Sequence, residues 1–252
     1  MDNLDHKINK AISLIWQYSA AANATENCGY TVCFSGGKDS QVLLDLFKLS
    51  GVQFKAVYNV TTIDPPENVR FIKKYYPEVE FVLPKLNFFN LIEKKGFLPM
   101  INKRFCCQML KEYYGKGFIA TCVRREESAK RATYDFVSPD IRNKKKIHIR
   151  PLLDWTESEI WQYIEEQNLP VNPCYEHTGR VGCMFCPFAG QKANLYSAKT
   201  YPKYHKLLLK TIGILIENGY LREFKDVTPE RAWEWWISKR NAKEFFTQLK
   251  LF

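Results

Sequence analysis

The chain has 252 residues, and 37 Lys and Arg against 27 Asp and Glu leave a formal net charge of +10. Hydrophobic residues at 46% and aromatic residues at 15% exclude a mainly disordered polypeptide and suit one large domain or a domain with an appendage. No run reaches the roughly 18 uncharged apolar residues of a membrane span. Asp2, Asp5 and His6 stand where a secretory leader needs a cationic start, so the expectation is a soluble, cytoplasmic protein.

Leu4, Ile8, Ile12, Ile15, Trp16 and Ala20 recur at helical spacing and predict a helix from Leu4 to about Ala22. Tyr30–Phe34 is a short apolar run that breaks into Ser35, Gly36 and Gly37, after which Val42, Leu43, Leu44, Leu46 and Phe47 resume a helical pattern up to Gly51. That order is strand, glycine loop, helix. Apolar runs at Phe54–Val60, Val79–Leu83 and Phe118–Val123 predict further strands, separated by helical patterns at Pro66–Tyr76, Phe88–Lys95 and Lys103–Tyr114. Such alternation implies an α/β fold, a mostly parallel sheet with helices on both faces. After the apolar run Ile147–Arg150, a helix is predicted over Glu157–Gln167. Asn168–Gly190 is a Pro-, Gly- and Cys-rich loop of a kind that is functional or held by a metal. Tyr201–Asn218 and Pro229–Arg240 read as amphipathic helices, the second carrying Trp233, Trp235 and Trp236. The aromatic residues suit base stacking or a core equally.

Most of the positive excess is local. Between Ile101 and Arg150 there are 13 Lys and Arg against five Asp and Glu, a surplus that draws phosphate-bearing partners or forms a solvated basic face. Eight cysteines without an export signal do not make a disulfide framework. Cys28, Cys33 and Cys122 are scattered, as core thiols are. Cys106 and Cys107 are adjacent, and Cys174, Cys183 and Cys186 share one loop, so these five are candidate metal ligands.

Ser35-Gly36-Gly37-Lys38-Asp39-Ser40 sits where a strand ends and a helix begins, the place where free helix N–H groups meet an anion. It is not a Walker A loop, because Val32 replaces that pattern's first glycine and Asp39 follows the lysine. Its glycines let backbone amides approach phosphate, Ser35 and Ser40 add hydroxyls, and Lys38 adds a compact cation. The division expected is a nucleotide-binding domain over residues 1–168, with the cysteine-rich loop and C-terminal helices over 169–252.

Ser35–Ser40 resembles the SGGxDS loop of the PP-loop, or N-type, ATP pyrophosphatases. Arg124, Glu127, Ser128 and Arg131 resemble the R-x-x-E-S-x-x-R element of the PAPS and APS (sulfonucleotide) reductase family. Pro151, Leu152, Asp154 and Trp155 resemble its PL-x-DW segment, and Leu169, Pro170, Asn172, Pro173 and Tyr175 its LP-x-NP-x-Y turn. The resemblance implies either cleavage of ATP between the α and β phosphates or use of a bound sulfonucleotide. It places Lys38, Arg124 and Arg131 as charge stabilisers and Asp39 as a Mg²⁺ ligand or helix cap. Glu127 and Ser128 join the nucleotide site, with Thr61, Thr62 and Asp64 at the adenosine.

Cys183-x-x-Cys186 is a two-ligand clip that needs partners. APS reductases pair such a clip with a tandem Cys-Cys around one 4Fe-4S cluster, and Cys106-Cys107 with Lys111 matches that tandem. Cys174 is a fifth candidate, able to replace Cys106. Zinc suits four thiolates as well. His177 in the same loop reads as a surface residue.

Reductases resembling this chain carry a C-terminal Glu-Cys-Gly-Leu-His tail and an Asp-Thr-Gly adenosine motif. Here the last cysteine is Cys186, and the second motif reads Thr62-Ile63-Asp64. The function expected is ATP pyrophosphatase activity in sulfur transfer or modification, with nucleic acid or another anionic acceptor and a sulfur-donor protein as partners. The alternatives are a sulfonucleotide reductase using an external thiol and a non-catalytic nucleotide-binding interaction protein. Other PP-loop proteins similar in parts are the ATP pyrophosphatase subunit of DNA phosphorothioation systems and cluster-bearing tRNA thiolases.

Overall fold

The structure, a computed structural model, describes residues 3–25, 29–111 and 116–247. Cys28 and the end of the Lys103–Tyr114 pattern fall outside these residues. Two compact units emerge, and they interleave along the chain: residues 1–59, 66–82 and 113–181 form the first, and 60–65, 83–112 and 182–252 form the second. The division expected after residue 168 was a single contiguous one; residues 169–181 group with the first unit and 83–112 with the second.

The first unit is built on one sheet. Its strands are β1 (Tyr30–Cys33), β2 (Phe54–Asn59), β3 (Glu80–Val82), β4 (Gly117–Ala120), β5 (Val137–Pro139) and β6 (Lys146–Ile149), in the order β3-β2-β1-β4-β6-β5. All neighbours are parallel except β5, which runs antiparallel to β6. Val32 of β1 registers with Ala56 on one side and Ala120 on the other. Tyr30, Thr31 and Val32 are all buried, as expected of a central parallel strand covered on both faces. Helices flank the sheet. Asn3–Gln17 packs on Lys38–Ser50, which in turn meets Glu157–Glu166. The last of these starts at a capping box in which Thr156 and Glu159 satisfy each other's backbone N–H groups. The first predicted helix breaks at Tyr18 into Asn3–Gln17 and Ser19–Asn23. β5 was not expected from the sequence: three residues ending in a proline read as loop, and an edge strand tolerates Pro139 because one side needs no ladder donor.

In the second unit, helices Phe88–Lys95, Gln191–Thr200, Pro202–Glu217, Pro229–Ser238 and Ala242–Thr247 surround an apolar core of Phe88, Leu91, Ile92, Leu208, Ile212 and Trp233. Trp235 and Trp236 are also buried, so these tryptophans belong to the core and are not stacking surfaces. Trp236 Nε1–H donates to the Pro99 carbonyl at 2.7 Å, which gives its buried polar edge a partner. The helical pattern at Lys103–Tyr114 appears in part as a π-helical turn over Cys107–Lys111. Such wide turns concentrate at functional sites.

Among the described residues no helix is long and apolar enough to cross a membrane.

Candidate functional site

In the first unit the strand order reverses between β1 and β4, and chain segments leave the carboxyl ends of both strands there. Open α/β sheets bind ligands at such a switch point. Ser35–Ser40 follows β1 and Arg124–Arg131 follows β4, so the two elements singled out in the sequence converge on this crevice.

The loop is shaped by its own hydroxyls. Ser35 N–H donates to Ser40 Oγ at 3.2 Å, and Ser40 O–H donates to the Gly37 carbonyl at 2.8 Å. Gly36 adopts φ +78°, and a Cβ there would stand 2.3 Å from Asn68 Oδ1, so both backbone and space demand glycine. Beneath it, Asn172 Nδ2 donates to the Gly36 carbonyl at 2.9 Å and to Asn68 Oδ1 at 2.7 Å, while Asn68 Nδ2 donates to the Ser35 carbonyl at 3.1 Å. Gly37, by contrast, sits at φ −84° and opens the helix as its N-cap.

Charge in the crevice is internally balanced. Asp39 pairs with Arg124 Nε at 2.7 Å and with Lys38 Nζ at 3.2 Å. Glu157 approaches Lys38 Nζ at 3.3 Å, and Glu126 approaches Arg124 Nη1 at 2.6 Å. Asp39 therefore acts as a cation partner in the helix's first turn, where its charge also suits the dipole, and makes no side-chain cap. Burial alone would lower the pKa values of Lys38 and Arg124; their partners together, Asp39 foremost, outweigh burial and hold both above their ordinary values. Glu127 accepts from the Arg124 N–H at 2.8 Å and pairs with Arg131, and Ser128 Oγ accepts from the Arg131 N–H at 3.3 Å. Cys122, next to this network, is a free thiol pushed up to about 12 by burial and by Asp39 and Glu127.

Several participants were not named from the sequence. Glu126 and Glu157 left no signal, because exposed acids are ordinary. Tyr175 belonged to a recognised segment and Trp161 to a predicted helix, both without a stated role; their rings meet edge-on at 5.3 Å, with Lys38 Nζ 5.9 Å from each.

The basic run Arg142–Lys146 is the tip of the β5–β6 hairpin. Lys146 registers with Gly117 at the start of β4, so the run lies at the amino ends of the parallel strands. The phosphate loop leaves from the carboxyl ends. A polyanion lying across the mouth of the crevice therefore would not meet Lys144–Lys146 there.

The second unit gathers four of the five candidate ligands. The Cys106 thiol is hydrogen-bonded with Cys107 and feels the charges of Cys107, Cys183 and Cys186; that hydrogen bond, burial and those neighbours hold its pKa far above the ordinary thiol range. Cys183 is raised by burial and opposed by the Lys111 ammonium, and Cys183 in turn raises Lys111. Thr61 and Asp64, expected at adenosine, stand among these thiols: Cys183 S–H donates to Thr61 Oγ1 at 3.4 Å, and Asp64 accepts from the Thr61 N–H at 2.7 Å. Thr62 between them has φ +65°, a rare state for a β-branched residue, and its hydroxyl accepts from the Phe88 N–H at 2.8 Å. Cys174 belongs to the first unit, where it is buried, takes the Asn172 side chain as its N–H acceptor at 3.0 Å and is raised by burial and Glu67. His177 is exposed.

Four soft donors beside a buried-side ammonium fit a thiolate-held metal centre by donor type and charge. A single tetrahedral zinc draws its sulfurs to about 3.8 Å of one another. Among the described residues no group of three or more Cys, His, Asp or Glu side chains is gathered in a way that would hold one ion.

An open parallel sheet with an anion-binding glycine loop at its switch point defines a nucleotide-binding α/β protein of the PP-loop kind. Residues 29–189 match the phosphoadenosine phosphosulfate reductase domain, and the chain belongs to that family. An adenosine 5'-phosphosulfate reductase of Shouchella clausii is 32% identical over 66% of this chain and 73% of its own length. An uncharacterised protein of Methanocaldococcus jannaschii is 29% identical over 93% of this chain, which spans only 58% of that relative. The fold is shared with phosphoadenylyl-sulfate reductase from Candida auris, at TM-score 0.52 and 16% identity over 73% of this chain and 96% of the other. It is shared also with FMN adenylyltransferase from Candida glabrata, at TM-score 0.53 and 16% identity over 72% and 64% of the two chains.

Proposed function

We propose that this chain is an ATP pyrophosphatase of sulfur transfer or modification, adenylating an anionic acceptor of the nucleic-acid class. The observation that carries the proposal is the Lys38–Asp39–Arg124 network beside the Ser35–Ser40 loop, an amide-rich crevice whose cations can exchange their carboxylate partners for a polyphosphate. An acceptor oxygen attacks the α-phosphorus of ATP, the bond from that phosphorus to the bridging oxygen breaks, and pyrophosphate departs with the electron pair. Loop amides and the Ser35 and Ser40 hydroxyls hold the leaving group, while Lys38, Arg124 and Arg131 spread the developing charge. Asp39 would hold Mg²⁺, exchanging its guanidinium partner for the metal. Cys106, Cys107, Cys183 and Cys186 would hold a 4Fe-4S cluster, which supplies redox-capable or sulfur-binding iron when present. A sulfur-donor protein completes the reaction.

A second reading, reduction of a sulfonucleotide by an external thiol, is favoured by the Shouchella clausii relative and disfavoured by Thr62-Ile63-Asp64 at the adenosine motif. One assay separates them. The anaerobic protein is given ATP and Mg²⁺ with and without nucleic acid, and in parallel adenosine 5'-phosphosulfate with a dithiol. Pyrophosphate release stimulated by nucleic acid is the expected result. Sulfite release without pyrophosphate would move the chain to the second reading, and neither product would leave a nucleotide-binding protein without turnover.

A further inference from the structure

The nucleotide loop has a donor that comes from far along the chain. Tyr175 lies in the Asn172-Pro173-Cys174-Tyr175 segment, which braces the loop at two points. Asn172 donates to the Gly36 carbonyl at 2.9 Å, and the Tyr175 oxygen accepts the Lys38 N–H at 2.9 Å. The Lys38 N–H is one of the first amides of a 13-residue helix, among the groups that a helix N-terminus offers to an anion. Its hydrogen bond ends on a phenol whose own O–H has no acceptor among the described residues. A hydroxyl that accepts from an amide is polarised into a better donor, and a half-buried donor without an acceptor is a group in want of a partner.

Position supports the same assignment. The point where a Gly37 Cβ would stand is 3.4 Å from both Ser35 Oγ and the Tyr175 oxygen. Both hydroxyls therefore lie beside the bare backbone of Gly37. The Trp161 ring, edge-on at 5.3 Å, fixes the phenol's plane. Burial raises the Tyr175 pKa while Lys38 pulls the other way, and the balance keeps the phenol protonated at neutral pH, hence a donor.

We infer that Tyr175 is a phosphate ligand of the nucleotide loop: its O–H donates to an oxygen of the bound pyrophosphate moiety and relays the Lys38 N–H to it. This rests on the loop binding a nucleotide polyphosphate, and the experiment keeps the two apart. Binding of inorganic pyrophosphate and of ATP is measured by titration calorimetry on the full chain and on Tyr175→Phe, with thermal unfolding as the check on folding. Wild type binds both, and Tyr175→Phe loses about tenfold or more in affinity for both at an unchanged unfolding temperature.

Equal or tighter binding by a folded Tyr175→Phe overturns the assignment and leaves the loop standing, because the phenylalanine frees the Lys38 N–H to meet phosphate directly. A wild type that binds neither ligand brings down the nucleotide loop and Tyr175 with it. Should Tyr175→Phe fail to fold, hydroxyl-radical footprinting of the wild type decides. Pyrophosphate shields Tyr175 and not the exposed Tyr75 if the assignment holds, and equal reactivity of Tyr175 with and without pyrophosphate overturns it.

Discussion

The phosphate crevice of the first unit and the thiol group of the second solve opposite electrostatic problems. In the crevice each cation already has a carboxylate: Lys38 has Asp39 and Glu157, Arg124 has Asp39 and Glu126, and Arg131 has Glu127. In the thiol group, Cys106 is held toward the protonated state by its hydrogen bond to Cys107 and by burial, and Cys183 by burial against the opposing Lys111 ammonium. The first site is a finished network in which a ligand exchanges partners. The second, on the proposed reading, is a donor set whose thiolate charge would become favourable against a metal, so that its folding and its loading would be coupled.

The largest effects are expected where that coupling is cut. Protein purified without air should be brown and carry about four iron atoms per chain. Cys183→Ser and Cys186→Ser should each remove the visible absorption and most of the iron. Cys174→Ser should leave both intact, since Cys174 belongs to the first unit, where Asn172 holds its backbone N–H. A colourless anaerobic preparation with one zinc would keep the ligand set and discard the cluster; iron lost from Cys174→Ser would undo the grouping itself.

Next in size is the loop. Gly36→Ala combines a left-handed backbone with a Cβ 2.3 Å from Asn68 Oδ1 and should cost about 3 kcal/mol in chemical denaturation. Gly37→Ala meets its nearest atoms at 3.4 Å and should change stability by less than about 0.5 kcal/mol. If the two variants unfold alike, the loop is not held as described. Asp39→Asn leaves Arg124, only 5% exposed, with Glu126 as its remaining carboxylate, and about 2 kcal/mol of destabilisation is expected. Adding Mg²⁺ should then no longer tighten ATP binding.

Smaller still is the effect of the hairpin tip. Lys144, Lys145 and Lys146 replaced together by Ala should leave ATP affinity unchanged, because they lie at the opposite ends of the strands from the loop. Nucleic-acid affinity and the slope of log K against log salt should also change little, because a polyanion held at the crevice does not meet these lysines. A slope flattened by up to about 3 units would assign the polyanion to the hairpin tip instead.

The smallest effect concerns pH. The bond to His148 holds the Asp140 pKa below the ordinary carboxylate value, against a smaller opposing effect of burial, and the Asn143 and Arg142 N–H groups add to the lowering. A carboxyl lowered by folding contributes stability that is full above about pH 4 and is lost as pH falls through the folded-state value. Asp140→Asn should therefore cost about 0.5 kcal/mol at neutral pH and nothing once the native carboxyl is protonated. A loss that persists in acid would point to packing.

What could be read in the sequence follows from how local each signal was. Ser35–Ser40 is contiguous, and its strand and helix are its immediate neighbours, so its place in the fold was legible. The parallel sheet was legible for the same reason, since β1, β2 and β4 are buried apolar runs. β5 is too short and too polar to announce itself, and the π-turn at Cys107–Lys111 keeps a helix-like spacing while shifting which side chains share a face. The helix Gln191–Thr200 is weakly amphipathic and followed a loop that ended, by composition, at Gly190. Cys174 illustrates the limit: it lies nine residues before Cys183 in the chain, yet Asn172 ties its backbone to the phosphate loop's support. Thr61 and Asp64 were placed by family position, and their hydrogen bonds to Cys183 and to each other depend on a convergence that no local pattern encodes.

The interleaving of the two units sets a timetable for biosynthesis. The core of the second unit joins Phe88, Leu91 and Ile92 to Trp233, Trp236 and Ile237. At roughly 5–20 residues per second the earlier side chains wait some 7–30 s for the later ones. Meanwhile the first unit's segments, complete once residue 181 has emerged, can close around their sheet. A ribosome stalled after residue 181 has emerged and before Trp233 would thus hold out a chain with a finished sheet and a bare apolar helix, a natural client for a chaperone.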